Sequence, residues 1–288
     1  MKRPVGQVSQ PVQRHATARS YCFGRVGQVG KPVLRNLIET LSVRRIKKLP
    51  FEELAPYLLP DVPRGTPAPP IVWRALFGND RPVEVEVGFG KGLFLATAAA
   101  ERPDVNFVGV EVVRKYQLYA ATRLAKRQLT NVRVACADAR TLLRGRVAAQ
   151  SVQAVHVYFP DPWWKARHRK RRVFTPEFAH TVGTILRSGG RLWLATDVEA
   201  YHGVMAQIVR DLGPGFVELP PASPNEPRHD MDYLTNFERK FRKEGRPIYR
   251  LAYERTSATL PSEVAADPGL AGPFEEFGDG PKTPRAAG

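Results

Sequence analysis

Cysteine is nearly absent. The 288 residues include only Cys22 and Cys136. Two isolated cysteines make no disulfide framework, which excludes a stapled secreted scaffold and fits a reducing compartment. Long hydrophobic runs are missing too, so no segment reads as a membrane span. No apolar stretch of signal-peptide type occurs near residue 1. Pro4, Pro11 and several glycines interrupt any amphipathic helix of the transit-peptide kind there. These absences point to the cytoplasm. Acidic residues are scarcest in residues 1–50, which carry eleven Lys and Arg against one acid, Glu39. Nothing signals a bound metal, an obligate protein partner or an internal repeat.

What is present is cationic. The chain has 44 Lys and Arg against 28 Asp and Glu, a formal charge of +16. That excess suits a polyanionic partner, most plausibly nucleic acid. The cations are also clustered, in the first fifty residues and again at 165–172. A hydrophobic content of 43% provides for a real core.

The chain divides into three by composition. Residues 1–70 read as a basic N-terminal extension. It contains apolar positions at helical spacing (Val33, Leu34, Leu37, Ile38, Leu41), then Arg44, Arg45, Lys47 and Lys48, then a Pro-rich linker at 60–70. Residues 71–258 alternate strands and helices. The strands are expected at 83–87, 105–111, 132–135, 152–159, 191–195, 216–219 and 248–253. Helices are expected at 93–101, 114–128, 175–186 and 198–212, with a charged segment at 233–246. Such alternation predicts an α/β fold, a doubly wound, mostly parallel Rossmann-like sheet. Residues 259–288 are rich in Pro and Gly and are expected to be a disordered tail.

In such a sheet, ligands bind at the carboxyl ends of the strands. Five acids fall there: Glu86, Glu111, Asp138, Asp161 and Asp197. One would be an ordinary cap or a solvated loop residue. Five on successive strands form a negative rim in a basic protein. After the first strand comes Gly88-Phe89-Gly90-Lys91-Gly92. Its glycines depart from the G-x-G-x-x-G order of a dinucleotide fingerprint. They resemble the S-adenosylmethionine loop of class I methyltransferases. That cofactor carries a sulfonium, an ammonium and a ribose diol, all matched by carboxylates. Glu111 can accept both ribose hydroxyls, although an NAD site uses an acid in the same way. Glu86 would support the loop and the methionine end. Asp138 would sit near the adenine amino group or, equally, cap a helix over 139–146.

The densest signal is the stretch from Val155 to Arg172. A β-branched and aromatic run ends at Phe159-Pro160, where proline stops the ladder. Asp161 is held between Pro160 and Pro162. Trp163 and Trp164 follow, either as stacking planes for a base or as core. Then come Lys165, Arg167, His168, Arg169, Lys170, Arg171 and Arg172, suited to phosphates. Guanine presents two adjacent donors, N1–H and its exocyclic amine, and one carboxylate accepts both. Its N7 has no proton to lose, so methylation there needs no general base. It needs placement, and stabilisation of the charge arriving on the ring.

Together these residues resemble the bacterial tRNA (guanine-N7)-methyltransferase family. The resemblance covers roughly residues 80–255. It rests on Glu86-Val87-Gly88-Phe89-Gly90, Gly109-Val110-Glu111, Ala195-Thr196-Asp197, Thr235-Asn236-Phe237-Glu238 and, most specifically, Phe159 to Trp163 with the basic run after it. Arg19-Ser20-Tyr21 is a weaker match. The resemblance implies S-adenosyl-L-methionine as cofactor, tRNA as partner and a variable-loop guanosine as target. It implies cofactor contacts at Glu86, Gly88, Gly90, Glu111, Asp138 and Asp161, with Asp161 also catalytic. Lys165, Asp197, Thr235, Asn236, Phe237 and Glu238 would contact substrate, and Arg167 to Arg172 the RNA. Asn236 stands where the family commonly has lysine. Two alternatives stand beside it: an amino-group methyltransferase on another nucleic acid, and a non-catalytic RNA-binding protein on the same scaffold. The first usually continues Pro-Tyr after its acid, whereas this chain continues Trp-Trp-Lys.

Overall fold

The structure, a computed structural model, describes residues 49–60, 68–163, 171–220 and 235–264. The stretches 1–48, 61–67, 164–170, 221–234 and 265–288 lie outside the described residues. With them go Cys22, Arg19-Ser20-Tyr21, most of the basic extension, the centre of the 165–172 run and most of the tail.

Seven strands form one sheet in the order β3-β2-β1-β4-β5-β7-β6. They are β1 (Val83–Val87), β2 (Asn106–Glu111), β3 (Val132–Cys136), β4 (Val152–Tyr158), β5 (Leu186–Thr196), β6 (Phe216–Leu219) and β7 (Tyr249–Arg255). The first five run parallel. β7 lies antiparallel between β5 and β6. The mostly parallel doubly wound sheet is therefore as expected, with its order reversing between β1 and β4, where such sheets bind ligands.

Helices α1 (Phe51–Leu54), α2 (Trp73–Phe77), α3 (Leu93–Glu101), α4 (Arg114–Lys126), α5 (Ala139–Arg146), α6 (Pro176–Ile185), α7 (Glu199–Arg210) and α8 (Asn236–Lys243) accompany the strands. None is long and apolar enough to cross a membrane. Side chains alternate across the pleat. Val83, Val85, Val87, Val108 and Val110 face one hydrophobic layer with residues of α5, α6 and α7. Phe107, Val132 and Val134 face the other, with Phe94 and Leu95 of α3 and Leu124 of α4.

Three local outcomes differ from the sequence reading. Ser188-Gly189-Gly190 lies inside β5, which starts directly after α6. The charged segment at 233–246 contains a helix, α8, started by Thr235, whose Oγ1 accepts from Glu238 N at 3.0 Å. The segment 49–60 packs on the sheet edge: Leu54, Leu58 and Leu59 are buried, and Leu58 bridges to Val134 of β3.

Candidate active site

The five acids stand at the carboxyl ends of the five parallel strands, in the spatial order Asp138, Glu111, Glu86, Asp161, Asp197. Between β1 and α3 the glycine loop turns through three left-handed residues: Gly88, Gly90 and Gly92 have φ of 76°, 51° and 64°. Only glycine adopts that conformation without strain. The loop is closed from the neighbouring strand. Glu111 accepts from Gly90 N through Oε2 at 3.1 Å and from Val113 N through Oε1 at 3.0 Å. Gly109, two residues earlier, has no room for a side chain. A Cβ there would stand 2.6 Å from the Phe89 ring.

A cavity of about 400 Å³ opens over this loop. Glu86, Gly88, Gly90 and Tyr158 line one part of it, and Thr235, Asn236, Phe237 and Lys240 of the α8 end another. Glu86 is 3% exposed, and its Oε2 is buried with no hydrogen-bond partner. Burial, reinforced by the charge of Glu111, pushes its carboxyl well above the usual range. Such a group is costly unless something cationic or hydrogen-donating meets it.

Asp138 is a helix cap. Its Oδ1 accepts from Arg140 N at 2.8 Å and Arg140 Nε at 3.2 Å, and its Oδ2 from Arg140 Nη2 at 2.7 Å. The bond from the Arg140 side chain holds it below the usual carboxylate range. The capping alternative is therefore realised. Asp197 is ion-paired with Arg246.

Asp161 sits on an unusual turn. Phe159 and Trp163, two residues to either side, both have positive φ, 52° and 44°. Non-glycine residues rarely adopt this, and it costs on the order of 1–3 kcal/mol at each position. Phe159 N is tied to Ala195 O at 2.7 Å. The Phe159 ring packs against Phe237 and Phe241 of α8, with centroids 6.3 and 5.3 Å away. The Asp161 side chain reaches solvent, yet partial burial raises its carboxyl above the ordinary value.

Arg172 corrects an expectation. It does not join the surface cations proposed for phosphate contact, because it is fully buried. Its Nε donates to Pro162 O at 2.8 Å and its Nη2 to Trp163 O at 3.4 Å. It holds the Asp161 turn from beneath. Arg171 is exposed, with its guanidinium 5.0 Å from the Trp163 ring centre. Lys165, Arg167, His168, Arg169, Lys170 and Trp164 lie outside the described residues.

The Thr235 to Glu238 motif is part framework and part wall. Glu238 is 1% exposed, and its Oε1 accepts from Arg242 Nε at 2.9 Å and Arg250 Nη2 at 2.7 Å. The first bond lies within α8, and the second fastens α8 to β7. Phe237, by contrast, is 47% exposed and lines the cavity. Sequence reasoning missed Tyr158 and the group behind it: buried Glu84 and His156, with the partly exposed Arg102. A charged residue on a central strand was the available signal.

Comparison with known proteins fits this geometry. Residues 80–251 match a family model described as "Putative methyltransferase". A tRNA (guanine-N(7)-)-methyltransferase of Rhodopirellula baltica is 44% identical over 189 residues, covering 64% of this chain and 70% of its own. Those of Klebsiella pneumoniae (36% identical; 65% of this chain, 77% of theirs) and Geobacter metallireducens (34%; 72% and 96%) are also similar. The chain belongs to the tRNA (guanine-N(7)-)-methyltransferase family. The cavity fits S-adenosyl-L-methionine, because the orphaned oxygen of Glu86 suits its cationic groups; Glu111, which braces the cavity's Gly90, keeps lone pairs that suit ribose hydroxyls.

Proposed function

We propose that this enzyme methylates N7 of a guanosine in the variable loop of tRNA, in the cytoplasm, with S-adenosyl-L-methionine as cofactor. The observation that carries the reading is the pairing of two sites at adjacent strand ends. Glu86 is buried with an unpartnered oxygen in the glycine-loop cavity, and Asp161 stands on a strained turn on the next strand. When bound, S-adenosyl-L-methionine supplies an electrophilic methyl group. Glu86, Gly88, Gly90 and Glu111 would hold it, with Asp138 standing near the adenine.

Asp161 is the catalytic group. Its carboxylate accepts the N1–H and amine of guanine, which fixes N7 in orientation. It also offsets the positive charge that reaches the ring, and no proton is moved. Phe237 offers an exposed ring to the base, and Thr235 and Glu238 set the helix that carries it. Lys165, Asp197 and Asn236 complete the substrate side. Arg167, His168, Arg169, Lys170 and Arg171 contact phosphates, and Arg172 serves the turn.

The test is incubation of the protein with tRNA and methyl-labelled cofactor, then digestion to nucleosides. The expected product is 7-methylguanosine from the variable region. Asp161→Asn should lower its formation by about a hundredfold or more, the scale of a lost electrostatic stabiliser. Label on adenine or on an exocyclic amine overturns the reading.

A further inference from the structure

Behind the cavity wall runs a chain of four side chains. Arg102, which follows α3, donates from Nη1 and Nη2 to the two oxygens of Glu84, at 2.7 and 2.9 Å. Glu84 Oε2 lies 2.9 Å from His156 Nε2. His156 Nδ1 lies 2.8 Å from the Tyr158 hydroxyl. Tyr158 lines the cavity beside Glu86. Phe94 packs on both rings, 4.6 Å from His156 and 5.4 Å from Tyr158 between centroids. Glu84 and His156 are buried, and the group is held from two sides, so its protons have little freedom.

Their placement follows from donor and acceptor counting. Glu84 is ionised: burial alone would raise its pKa, but the bonds from His156 and Arg102 hold it at about 2. A carboxylate only accepts. His156 Nε2 must therefore carry a hydrogen. Burial pushes the imidazole toward its neutral form. A neutral imidazole has one N–H, so Nδ1 is left with a lone pair. The Tyr158 hydroxyl must donate to it. A phenol has one proton, so the Tyr158 oxygen has only lone pairs left to offer elsewhere.

We propose that the relay from Arg102 through Glu84 and His156 fixes Tyr158 as a pure hydrogen-bond acceptor toward the cofactor's sulfonium end, so that this chain prefers the charged cofactor to its neutral thioether product. This rests on the reading that the cavity holds S-adenosyl-L-methionine. Carbons attached to a sulfonium carry polarised C–H groups that an oxygen lone pair attracts, and loss of the methyl removes that charge. His156 and Glu84 are positioning residues, and Tyr158 is the group that touches the cofactor. A hydroxyl left free to turn can present its proton to the cofactor instead of a lone pair.

The test is calorimetric titration of the full chain with S-adenosylmethionine and, separately, with S-adenosylhomocysteine. Tyr158→Phe should lower the preference for the methylated form by about two- to fivefold, the scale of one C–H···O contact, with homocysteine-form affinity nearly unchanged. His156→Phe should give the same loss, and the double variant no more than either. Equal weakening toward both ligands, or an unchanged preference, overturns the proposal. The unaltered protein offers a second readout: nitrogen-15 shifts of His156 should report the Nε2–H tautomer, and an Nδ1–H tautomer overturns it. Wild-type protein that binds neither ligand would instead sink the reading of the cavity itself.

Discussion

Glu86 carries the sharpest conflict between folding and function. Its side chain shares a face of β1 with Glu84, two residues away, but Glu84 is paired and Glu86 Oε2 is not. A raised folded-state pKa means that ionising Glu86 costs stability above that pKa, and the cost fades as pH falls and the carboxyl takes a proton. Glu86→Gln should therefore melt higher than wild type at pH 8 without ligand, by roughly 2–4 °C, the change that about 1 kcal/mol brings in a domain of this size. The gap should shrink toward pH 5. The same substitution should weaken S-adenosylmethionine by about tenfold or more, as when one bond to a charged group is lost. Melting scans against pH, with and without ligand, check both halves. The site acids could be located from sequence because each stands at or just beyond the carboxyl end of a strand. Their burial could not. Alternating Val and Glu in residues 83–87 is also the pattern of a half-exposed strand. Only the pairing of β1 between β2 and β4, with helices on both faces, buries every residue of it.

At the scale of elements, the turn after β4 and the helix α8 depend on one another. Phe159 is held in a left-handed conformation while its ring meets Phe237 and Phe241. Arg246 of the segment after α8 pairs with Asp197 after β5 and lies 4.3 Å from the Phe241 ring centre. Arg172 supports the turn from the interior. Nothing in a run such as Arg169-Lys170-Arg171-Arg172 says which guanidinium turns inward, because consecutive cations carry no hydrophobic period to mark a buried face. Arg172→Met keeps the apolar stem and removes the donors to Pro162 O and Trp163 O. It should cost about 2–4 kcal/mol of stability, since two carbonyls lose a charged partner. Methyl transfer should fall at least tenfold while cofactor affinity holds. The salt slope of tRNA binding separates this role from a phosphate contact. A turn support leaves the slope unchanged, whereas loss of one phosphate contact lowers it by about one.

At the scale of the molecule, charge and chemistry occupy different parts of the chain. The acids lie at the strand ends of the core, whereas residues 1–50 carry a net excess of ten cations from eleven Lys and Arg and one Glu. The fold explains how a basic protein keeps a negative pocket. Its carboxylates are held by β1 to β5, and the excess cations are concentrated in sequence outside that frame. A polyanion with its own counterions is drawn to the cationic segments, and each phosphate neutralised releases salt ions. In sequence, Arg44, Arg45, Lys47 and Lys48 shortly precede Leu54, Leu58 and Leu59, which are buried, with Leu58 bridging to Val134 at the sheet edge. Cations this close in sequence to the core are expected to share in binding the same tRNA. Replacing these four with glutamine should leave S-adenosylmethionine affinity within about twofold, since bound charge at the pocket is untouched. It should also flatten the plot of log tRNA affinity against log salt by about two to four, from a contribution near 0.7–0.9 for each phosphate. Fluorescence titrations of tRNA from 50 to 200 mM salt, on the order of the range where such slopes are steep, give the number. An unchanged slope would assign the polyanion to the core cations alone, with Arg171 and the run before it carrying the contact.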